Sequence, residues 1–251
     1  MCSRKRNSDS SIPGNYQYKA MHYGPVSQRL WHQQKLVLLE RFLRTRQFGR
    51  VCDIGCGSGI VTSYVAKICP DAEVVGIDVS SESISFAKSQ YTDSKNLTFY
   101  NRDLLDTGGT GLNTFDFVYA TEVIEHLSKD NVQKFLMALG RLGHRRTQYL
   151  VTTPDYGSMW PILERILDLA SLVPKLRGHQ HLSQFTKDRL THDLVSAGFR
   201  VARIYNFCGW SPFWAHVSLP LSQWFQEREQ ARGEGFLICC EFTLDKENYD
   251  E

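Results

Sequence analysis

The sequence predicts an α/β protein with a mostly parallel sheet and helices on both of its faces. Short apolar runs alternate with segments of helical periodicity over most of the chain, and this order builds right-handed βαβ units. A glycine-rich turn at residues 55–59 lies where the first strand of the alternation passes into its helix. The length of 251 residues suits a single domain of this class.

The individual elements follow from the spacing of apolar residues. Strands are predicted at 51–54, 74–77, 97–100, 115–119, 149–152, 201–207 and 236–243. Helices are predicted from residue 30 to about 46 and at 60–68, 82–90, 132–139, 158–173 and 187–197. The domain is predicted to span residues 26–244, with a helical lid insertion at 155–185 and an aromatic insertion at 208–232. Residues 1–25 are predicted to be a flexible tail and residues 245–251 an acidic tail.

Charge and cysteine usage exclude several classes of protein. The 29 Lys and Arg residues against 27 Asp and Glu leave a net charge of +2, which argues against a dedicated nucleic-acid binder. The seven cysteines include no C-x-x-C pair, which is typical of thiols in a reducing compartment. The first eleven residues, MCSRKRNSDSS, contain no apolar segment of a secretory signal. These features predict a cytoplasmic protein.

The glycine-rich turn belongs to the run DIGCGSG at residues 53–59. Glycine permits positive φ and lets a ligand approach the backbone closely. The G-x-G-x-G spacing differs from the dinucleotide fingerprint, and the Lys-Ser/Thr pair of a phosphate loop is missing. Asp53 would repel a pyrophosphate and suits a ligand that carries positive charge. The candidate cofactor-binding residues here are Asp53, Gly55, Cys56, Gly57 and Gly59.

Two further acidic residues follow the next two strands. Asp78 ends the second strand, where a carboxylate can accept hydrogen bonds from both hydroxyls of a ribose. Asp103 follows the third strand, where it can accept from an adenine amino group. A nucleoside with a cationic part and no phosphate describes S-adenosylmethionine. Neighbouring candidates for the same cofactor are Val79, Leu104, Thr121 and Glu122.

The order of these residues resembles that of the class I S-adenosylmethionine-dependent methyltransferases. The resemblance covers roughly residues 49–200, through the glycine turn and the acids Asp53, Asp78, Asp103 and Glu122. It implies a Rossmann-like sheet whose last strand is antiparallel. It also implies in-line transfer of the sulfonium methyl group to an acceptor, a reaction in which the protein mainly supplies positioning.

The segment EVIEHL at residues 122–127 is a second candidate site. Glu122, Glu125 and His126 are spaced i, i+3 and i+4, so in a helical turn they share one face. Two carboxylates and an imidazole can bind a divalent cation or supply a general base. The segment resembles the ubiquinone-biosynthesis O-methyltransferases and the small-RNA 2′-O-methyltransferases, where these residues are associated with a divalent metal.

That resemblance implies Glu122, Glu125 and His126 as ligands of a cation such as Mg²⁺, with His181 as a fourth donor. In the alternative, no metal binds, and His126 or His181 is the catalytic base. His179 and His181 are also candidates for orienting the substrate from the lid.

The acceptor is predicted, by resemblance to quinone O-methylation, to be a hydroxylated and partly apolar small molecule. An RNA 2′-O-methyltransferase and a non-catalytic cofactor-binding protein are the alternatives. Residues 204–225 hold three tryptophans and no Asp, Glu, Lys or Arg. We expect this segment and the 158–173 helix to wall the acceptor pocket. Because a monomer seldom leaves such apolar surface bare, we expect that helix, a second subunit of a homodimer or a peripheral membrane contact to cover it.

Overall fold

A central sheet organises the parts of the chain that the computed structural model describes, residues 13–106, 111–169 and 181–245. Its strands are β1 (Arg50–Ile54), β2 (Glu73–Asp78), β3 (Leu97–Asn101), β4 (Phe115–Thr121), β5 (Gly143–Pro154), β6 (Phe199–Phe207) and β7 (Leu237–Leu244). They lie in the order β3-β2-β1-β4-β5-β7-β6. The strands β1 to β5 pair in parallel, whereas β7 is antiparallel to both β5 and β6. The predicted Rossmann-like sheet with an antiparallel last strand is confirmed.

Helices cover both faces of this sheet. They are α1 (Tyr16–Tyr23), α2 (Val26–Leu43), α3 (Ile60–Ile68), α4 (Ser81–Gln90), α5 (Lys129–Arg141), α6 (Trp160–Leu169), α7 (Lys187–Ser196), α8 (Ser211–Trp214) and α9 (Leu219–Arg232). Successive strand residues point to opposite faces, so Phe117 and Tyr119 of β4 pack with α2 and α3. Val118 and Ala120 of the same strand pack with α5 and α7 on the other side. The two hydrophobic cores fix the sheet, and with it the positions of the loops at the strand ends.

Helix α1 lies inside the segment that was predicted to be a flexible tail. Residues 16–23 are helical, and Ala20 and Met21 are buried, with Met21 in the core formed by α2 and α3. The prediction was wrong for this stretch because its polar sequence stays ordered through tertiary packing and not through its own periodicity. Residues 1–12 and 246–251, the rest of the predicted tails, lie outside the described residues.

The described parts of both insertions contain helices. Helix α6 falls within the predicted 158–173 helix, and residues 170–180, including Gly178 and His179, lie outside the described residues. In the aromatic insertion, α9 begins after Ser218, whose side chain caps the Leu221 amide, and it ends at Gly233 with a φ of 64°. Gly209, Pro212 and Pro220 rule out one continuous helix here, and the insertion forms the separate helices α8 and α9. None of the described helices is long and apolar enough to cross a membrane.

Candidate functional site

A cavity of about 550 Å³ opens at the carboxyl ends of β1, β2 and β4, where open α/β sheets bind their ligands. Its wall combines the glycine turn after β1, the acidic ends of β2 and β3, the turn after β4, and residues of α1 and α2. Most of the predicted cofactor-binding residues line it. These are Gly55, Gly57, Asp78, Val79, Asp103, Leu104, Thr121 and Glu122.

The glycine turn presents its backbone to this cavity. Gly55 and Gly57 have φ angles of 73° and 52°, in the left-handed region that favours glycine. A Cβ on Gly55 would collide with the side chain of Val123. The Gly57 amide donates a hydrogen bond to Asp78 Oδ2 at 2.8 Å, which ties the turn to the end of β2. The turn therefore leaves room for a ligand directly against the main chain.

Asp78 and Asp103 are held in place by main-chain hydrogen bonds. Asp78 Oδ1 accepts from the Ser80 amide at 2.7 Å, and Asp103 Oδ1 accepts from the Leu105 amide at 2.9 Å. Asn101 fixes the same edge, since its Nδ2 donates to the carbonyl oxygens of Asp78 and Val79 at 3.0 and 2.9 Å. Both carboxylates are thus preorganised hydrogen-bond acceptors on one side of the cavity.

Three of the predicted cofactor-binding residues, Asp53, Cys56 and Gly59, do not line the cavity. Asp53 lies buried behind the turn, where it accepts a hydrogen bond from Thr62 Oγ1 at 2.7 Å, and burial raises its pKa to about 7. The argument that its charge faces a cationic ligand was therefore wrong. Cys56 is buried in a small cluster with Phe99, and a Cβ on Gly59 would lie 2.7 Å from the Phe99 ring. These residues support the turn from behind.

Glu122 stands apart from the other residues of the EVIEHL segment. It has a φ of 55°, and only Ile124–His126 form a single 3₁₀ turn after it. The predicted helical face shared by Glu122, Glu125 and His126 is therefore wrong, because no helix runs through the three residues. The Glu122 carboxylate instead accepts a hydrogen bond from the buried Lys35 ammonium of α2. Burial favours the neutral acid and is the largest single influence, but the charge and hydrogen bond of Lys35, together with His32 and His181, outweigh it in sum and lower the pKa of Glu122.

Glu125, His126 and His181 form a compact group, although His181 lies 55 positions after His126 in the chain. One ligand atom from each of them lies within 4.8 Å of the others, and the two imidazole rings are 5.3 Å apart. The Glu125 carboxylate is buried, and within the described residues neither of its oxygens has a hydrogen-bond partner. Burial, and next the charge of Glu122, raise the pKa of Glu125 to about 7.

His181 is oriented by the buried Glu164 and the partly buried Tyr156. Its Nδ1 lies 2.8 Å from Glu164 Oε1, and the Tyr156 hydroxyl donates to the same oxygen at 2.8 Å. A proton on Nδ1 that is held by Glu164 leaves Nε2 with its lone pair. The Ser183 amide also donates to the Glu125 carbonyl at 3.0 Å, which ties the segment after residue 180 to the turn after β4.

The group has donor chemistry that fits a first-row transition metal better than Mg²⁺. Mg²⁺ prefers an octahedron of oxygen ligands, whereas one carboxylate and two imidazoles suit Mn, Fe, Co, Ni or Zn. The unpartnered oxygens of Glu125 and the carboxylate behind His181 are features of metal-binding groups. Three of the four predicted ligands lie together in the structure, whereas the fourth, Glu122, forms an ion pair with Lys35.

Part of the cavity wall was not predicted from the sequence. Tyr16 and Gln17 of α1 and His32 and Lys35 of α2 all line it. The sequence does hold a signal for two of them, since His32, Lys35 and the buried Leu39 are spaced i, i+3 and i+7. Two polar residues on the apolar stripe of a helix indicate a binding or catalytic site. The stripe alone does not show which part of the protein these residues face.

The insertions do not wall the cavity as predicted. No described residue of 155–169, 181–185 or 208–232 lines it. Trp160 of α6 packs instead against Trp31 at 5.4 Å between ring centroids, in a cluster with Phe213 and Phe236. The prediction was wrong because α1 and α2 occupy the side of the cavity that the insertions were expected to close.

Comparisons with known proteins agree with this geometry. Residues 51–143 match a family described as "Methyltransferase domain". A ubiquinone biosynthesis O-methyltransferase from Mesorhizobium japonicum is 33% identical over 97 residues, which are 37% of this chain and 36% of that protein. The chain thus spans about a third of the length of this relative. A magnesium-protoporphyrin O-methyltransferase from Rhodobacter capsulatus is 25% identical over 184 residues, 69% of this chain and 78% of that protein.

A solved structure shares the fold over most of both chains. It is the magnesium protoporphyrin IX methyltransferase of Synechocystis with bound SAH, which has a TM-score of 0.62 and 19% sequence identity. The alignment covers 92% of this chain and 94% of that one. At this identity the likeness concerns the fold alone.

Proposed function

We propose that this chain acts as a class I S-adenosylmethionine-dependent methyltransferase and methylates a hydroxyl group of a small, partly apolar acceptor. The observation that carries the cofactor assignment is the junction of Gly57 and Asp78. There the glycine turn exposes its backbone beside a carboxylate that can hold a ribose. Asp103 lies on the same side for the adenine, and Glu122 and Thr121 lie where the methionine part would extend.

Bound S-adenosylmethionine supplies a methyl group that is already activated by its sulfonium charge. The residues of the chain have two tasks, to align the acceptor oxygen with that methyl group and to receive the hydroxyl proton. As the new bond between the acceptor oxygen and the methyl carbon forms, the bond between sulfur and the methyl carbon breaks, and S-adenosylhomocysteine leaves. His126 lines the cavity and is our candidate for the proton acceptor.

His181 has a supporting part in this proposal. It lies beside His126 and is oriented by Glu164, so its Nε2 can relay a proton or bind a cation. If a divalent transition metal binds, Glu125, His126 and His181 would hold it, and the metal would lower the pKa of the acceptor hydroxyl. The other polar groups of the cavity are compatible both with proton transfer to a histidine and with activation of the hydroxyl by a bound metal.

The preference for a small acceptor follows from the charge and surface of the chain. A net charge of +2 provides little attraction for a nucleic-acid backbone. The two insertions contribute ten of the fourteen large apolar side chains that are strongly exposed in the described residues. Met159, just before α6, and Ile162, Ile166 and Leu169 on α6 form one exposed stripe. We propose that this apolar surface rests on a lipid interface and gives the enzyme access to a lipophilic acceptor.

The test is a turnover assay with S-adenosylmethionine and a panel of catechols, alkylphenols and amines, with products identified by mass spectrometry. We expect an O-methylated product. His126→Asn should lower kcat by about 10²- to 10⁴-fold while the affinity for S-adenosylhomocysteine stays unchanged. The matched control is His192→Asn, because His192 is 79% exposed on α7.

Each other outcome has a definite meaning. Methylation of the amines only would contradict the hydroxyl acceptor. Binding of S-adenosylhomocysteine without turnover on any compound would favour a non-catalytic cofactor-binding protein. Full activity after exhaustive chelation would exclude the metal route and leave His126 as the base.

A further inference from the structure

His32 is a partly buried histidine of the cavity wall to which the proposed methyl transfer gives no role. It lies on α2, three residues before Lys35, and lines the cavity together with Lys35, Glu122 and His126. Its electrostatic neighbours are Lys35 and Glu122, so it lies on the Glu122 side of the cavity. The nucleoside-binding carboxylates, Asp78 and Asp103, belong instead to the ends of β2 and β3. His32 is therefore placed toward the acceptor end.

The hydrogen bonding of this imidazole is incomplete. Its Nδ1 is enclosed by the protein, and the described residues offer it no hydrogen-bond partner. Since the ring lines the cavity and Nδ1 is the enclosed nitrogen, Nε2 is left to meet a ligand. Buried polar groups are nearly always paired, so an imidazole on a cavity wall without a protein partner is a candidate for a hydrogen bond to a ligand.

The ring is also uncharged. Burial, and next the positive charge of Lys35, lower the pKa of His32 to about 3. A base this weak cannot keep the proton that a hydroxyl loses on methylation. His32 and His126 therefore differ in what they can do, although both line the same cavity.

Resting on the proposed function, we infer that His32 Nε2 forms a hydrogen bond with a hydroxyl group of the acceptor and selects hydroxylated acceptors over apolar ones. A hydroxyl both donates and accepts, so it pairs with Nε2 in either tautomer of a neutral imidazole. A carboxylate or carbonyl pairs only with the tautomer protonated on Nε2, and an ammonium pairs only with the other. An apolar acceptor would leave Nε2 without a hydrogen bond, so the ring favours a hydroxyl-bearing compound, whereas His126 receives the proton in the proposed transfer.

Calorimetry tests this inference with a pair of probes, 4-butylcatechol and butylbenzene, added to the protein saturated with S-adenosylhomocysteine. The two probes share the apolar chain and differ in the hydroxyls. We expect wild type to bind 4-butylcatechol more tightly than butylbenzene, and we expect His32→Phe to weaken 4-butylcatechol binding by about 3- to 10-fold. Butylbenzene binding and the affinity for S-adenosylhomocysteine should stay within twofold. His32→Asn, which keeps a polar group, should restore part of the preference.

The matched control is His192→Phe on the exposed face of α7, which should change none of these affinities. Equal binding of the two probes by wild type would overturn the inference, and so would an unchanged preference in His32→Phe. A loss of S-adenosylhomocysteine affinity in His32→Phe would make it a cofactor-binding residue instead. Because the assay needs no turnover, a protein that discriminates between the probes but methylates nothing would refute the proposed function alone.

Discussion

The two ends of the cavity are built in different ways. The cofactor end consists of the main chain of one glycine turn and of carboxylates that are themselves fixed by amide hydrogen bonds, at Gly57, Ser80 and Leu105. The acceptor end consists of side chains with unmet or competing charges, such as His32 and Glu122 in the cavity wall, with the buried Glu125 next to His126. The first is rigid before any ligand arrives, and the second is completed by what binds. This difference predicts that changes at the first end act through backbone geometry, and changes at the second through charge.

The largest effect is expected from Gly59→Ala, which tests the rigidity of the cofactor end. A Cβ there would lie 2.7 Å from Phe99 Cζ and 2.9 Å from Ala87 Cβ, at a φ of 76°. We expect a loss of about 2–4 kcal/mol in the free energy of unfolding, measured by urea denaturation. Gly111→Ala is the matched control, since Gly111 has a φ of 62° with open space around its Cβ position. Gly111→Ala should lose only about 1 kcal/mol, because only the unfavourable φ acts on the new alanine. Equal losses in Gly59→Ala and Gly111→Ala would mean that the turn is not tightly packed.

Glu125→Gln tests whether charge governs the acceptor end. The folded pKa of Glu125 is about 7, above its ordinary value near 4.5, so the folded state binds the proton more tightly. Wild type should therefore lose stability as pH rises from about 4.5 to 7. The variant should not show this loss, because its amide does not ionise. We expect equal free energies of unfolding at pH 4.5 and a variant about 2–3 kcal/mol more stable at pH 8, measured with chelator present.

The raised pKa of Asp53 also makes the free energy of unfolding fall as pH rises, and it does so equally in wild type and variant. The difference in stability between the two proteins therefore reports on Glu125 alone. Glu227→Gln, on the exposed side of α9, is the control and should follow wild type at both pH values. A variant less stable than wild type at pH 8 would show that the Glu125 carboxylate is stabilised in the folded state, against the interpretation given above.

The same difference between the two ends explains how much of the site could be predicted. Gly55, Gly57, Asp78 and Asp103 belong to a short stretch in which each strand end brings the next residue to the same edge of the sheet. The spacing of these residues along the chain is then enough to predict that they lie together. The seven strands and their alternation with helices were predicted from local patterns of the same kind. The sequence could not show which residues of the run stand behind the turn, as Asp53 does, because burial depends on packing.

The acceptor end depends on contacts between distant segments. Lys35 reaches Glu122 across 87 positions, and His181 contacts Glu164 and His126 across 17 and 55 positions. A helical spacing predicted Glu122, Glu125 and His126 on one face, yet the left-handed backbone at Glu122 turned that side chain toward α2. The order of α1 was missed for a related reason, since it depends on α2 and not on its own periodicity.

Asp78→Ala tests the assignment of the cofactor end directly. The variant leaves two ribose hydroxyls without a charged acceptor and frees the Gly57 and Ser80 amides. We expect the affinity for S-adenosylhomocysteine to fall by about 1.5–3 kcal/mol, or roughly 10- to 150-fold, in a calorimetric titration. Asp71→Ala, at an exposed position before β2, should bind as wild type does. Unchanged affinity in Asp78→Ala would reject the ribose contact and leave the fold untouched.

The smallest effect is expected on the exposed apolar surface, where the question is whether the acceptor end continues into a lipid-binding face. Ile162 and Ile166 of α6 are 58% and 56% exposed, one helical turn apart. The double substitution Ile162→Gln/Ile166→Gln removes apolar area from that face with little effect on packing, because neither side chain is buried. We expect co-sedimentation with vesicles of neutral and anionic phospholipid to weaken by about threefold or more.

The control for this last experiment is Met137→Gln/Val195→Gln, which alters two side chains of 55% and 58% exposure on α5 and α7, outside the insertions. It should sediment with vesicles as wild type does, because the loss of apolar area is matched and only the location differs. The α6 variant should slow turnover of a lipophilic catechol and leave turnover of a soluble catechol unchanged. The control variant should slow neither. If wild type does not bind vesicles, the lipid interface is refuted. A dimer that dissociates in the α6 variant, seen by sedimentation velocity, would then identify a second subunit as the partner of this surface.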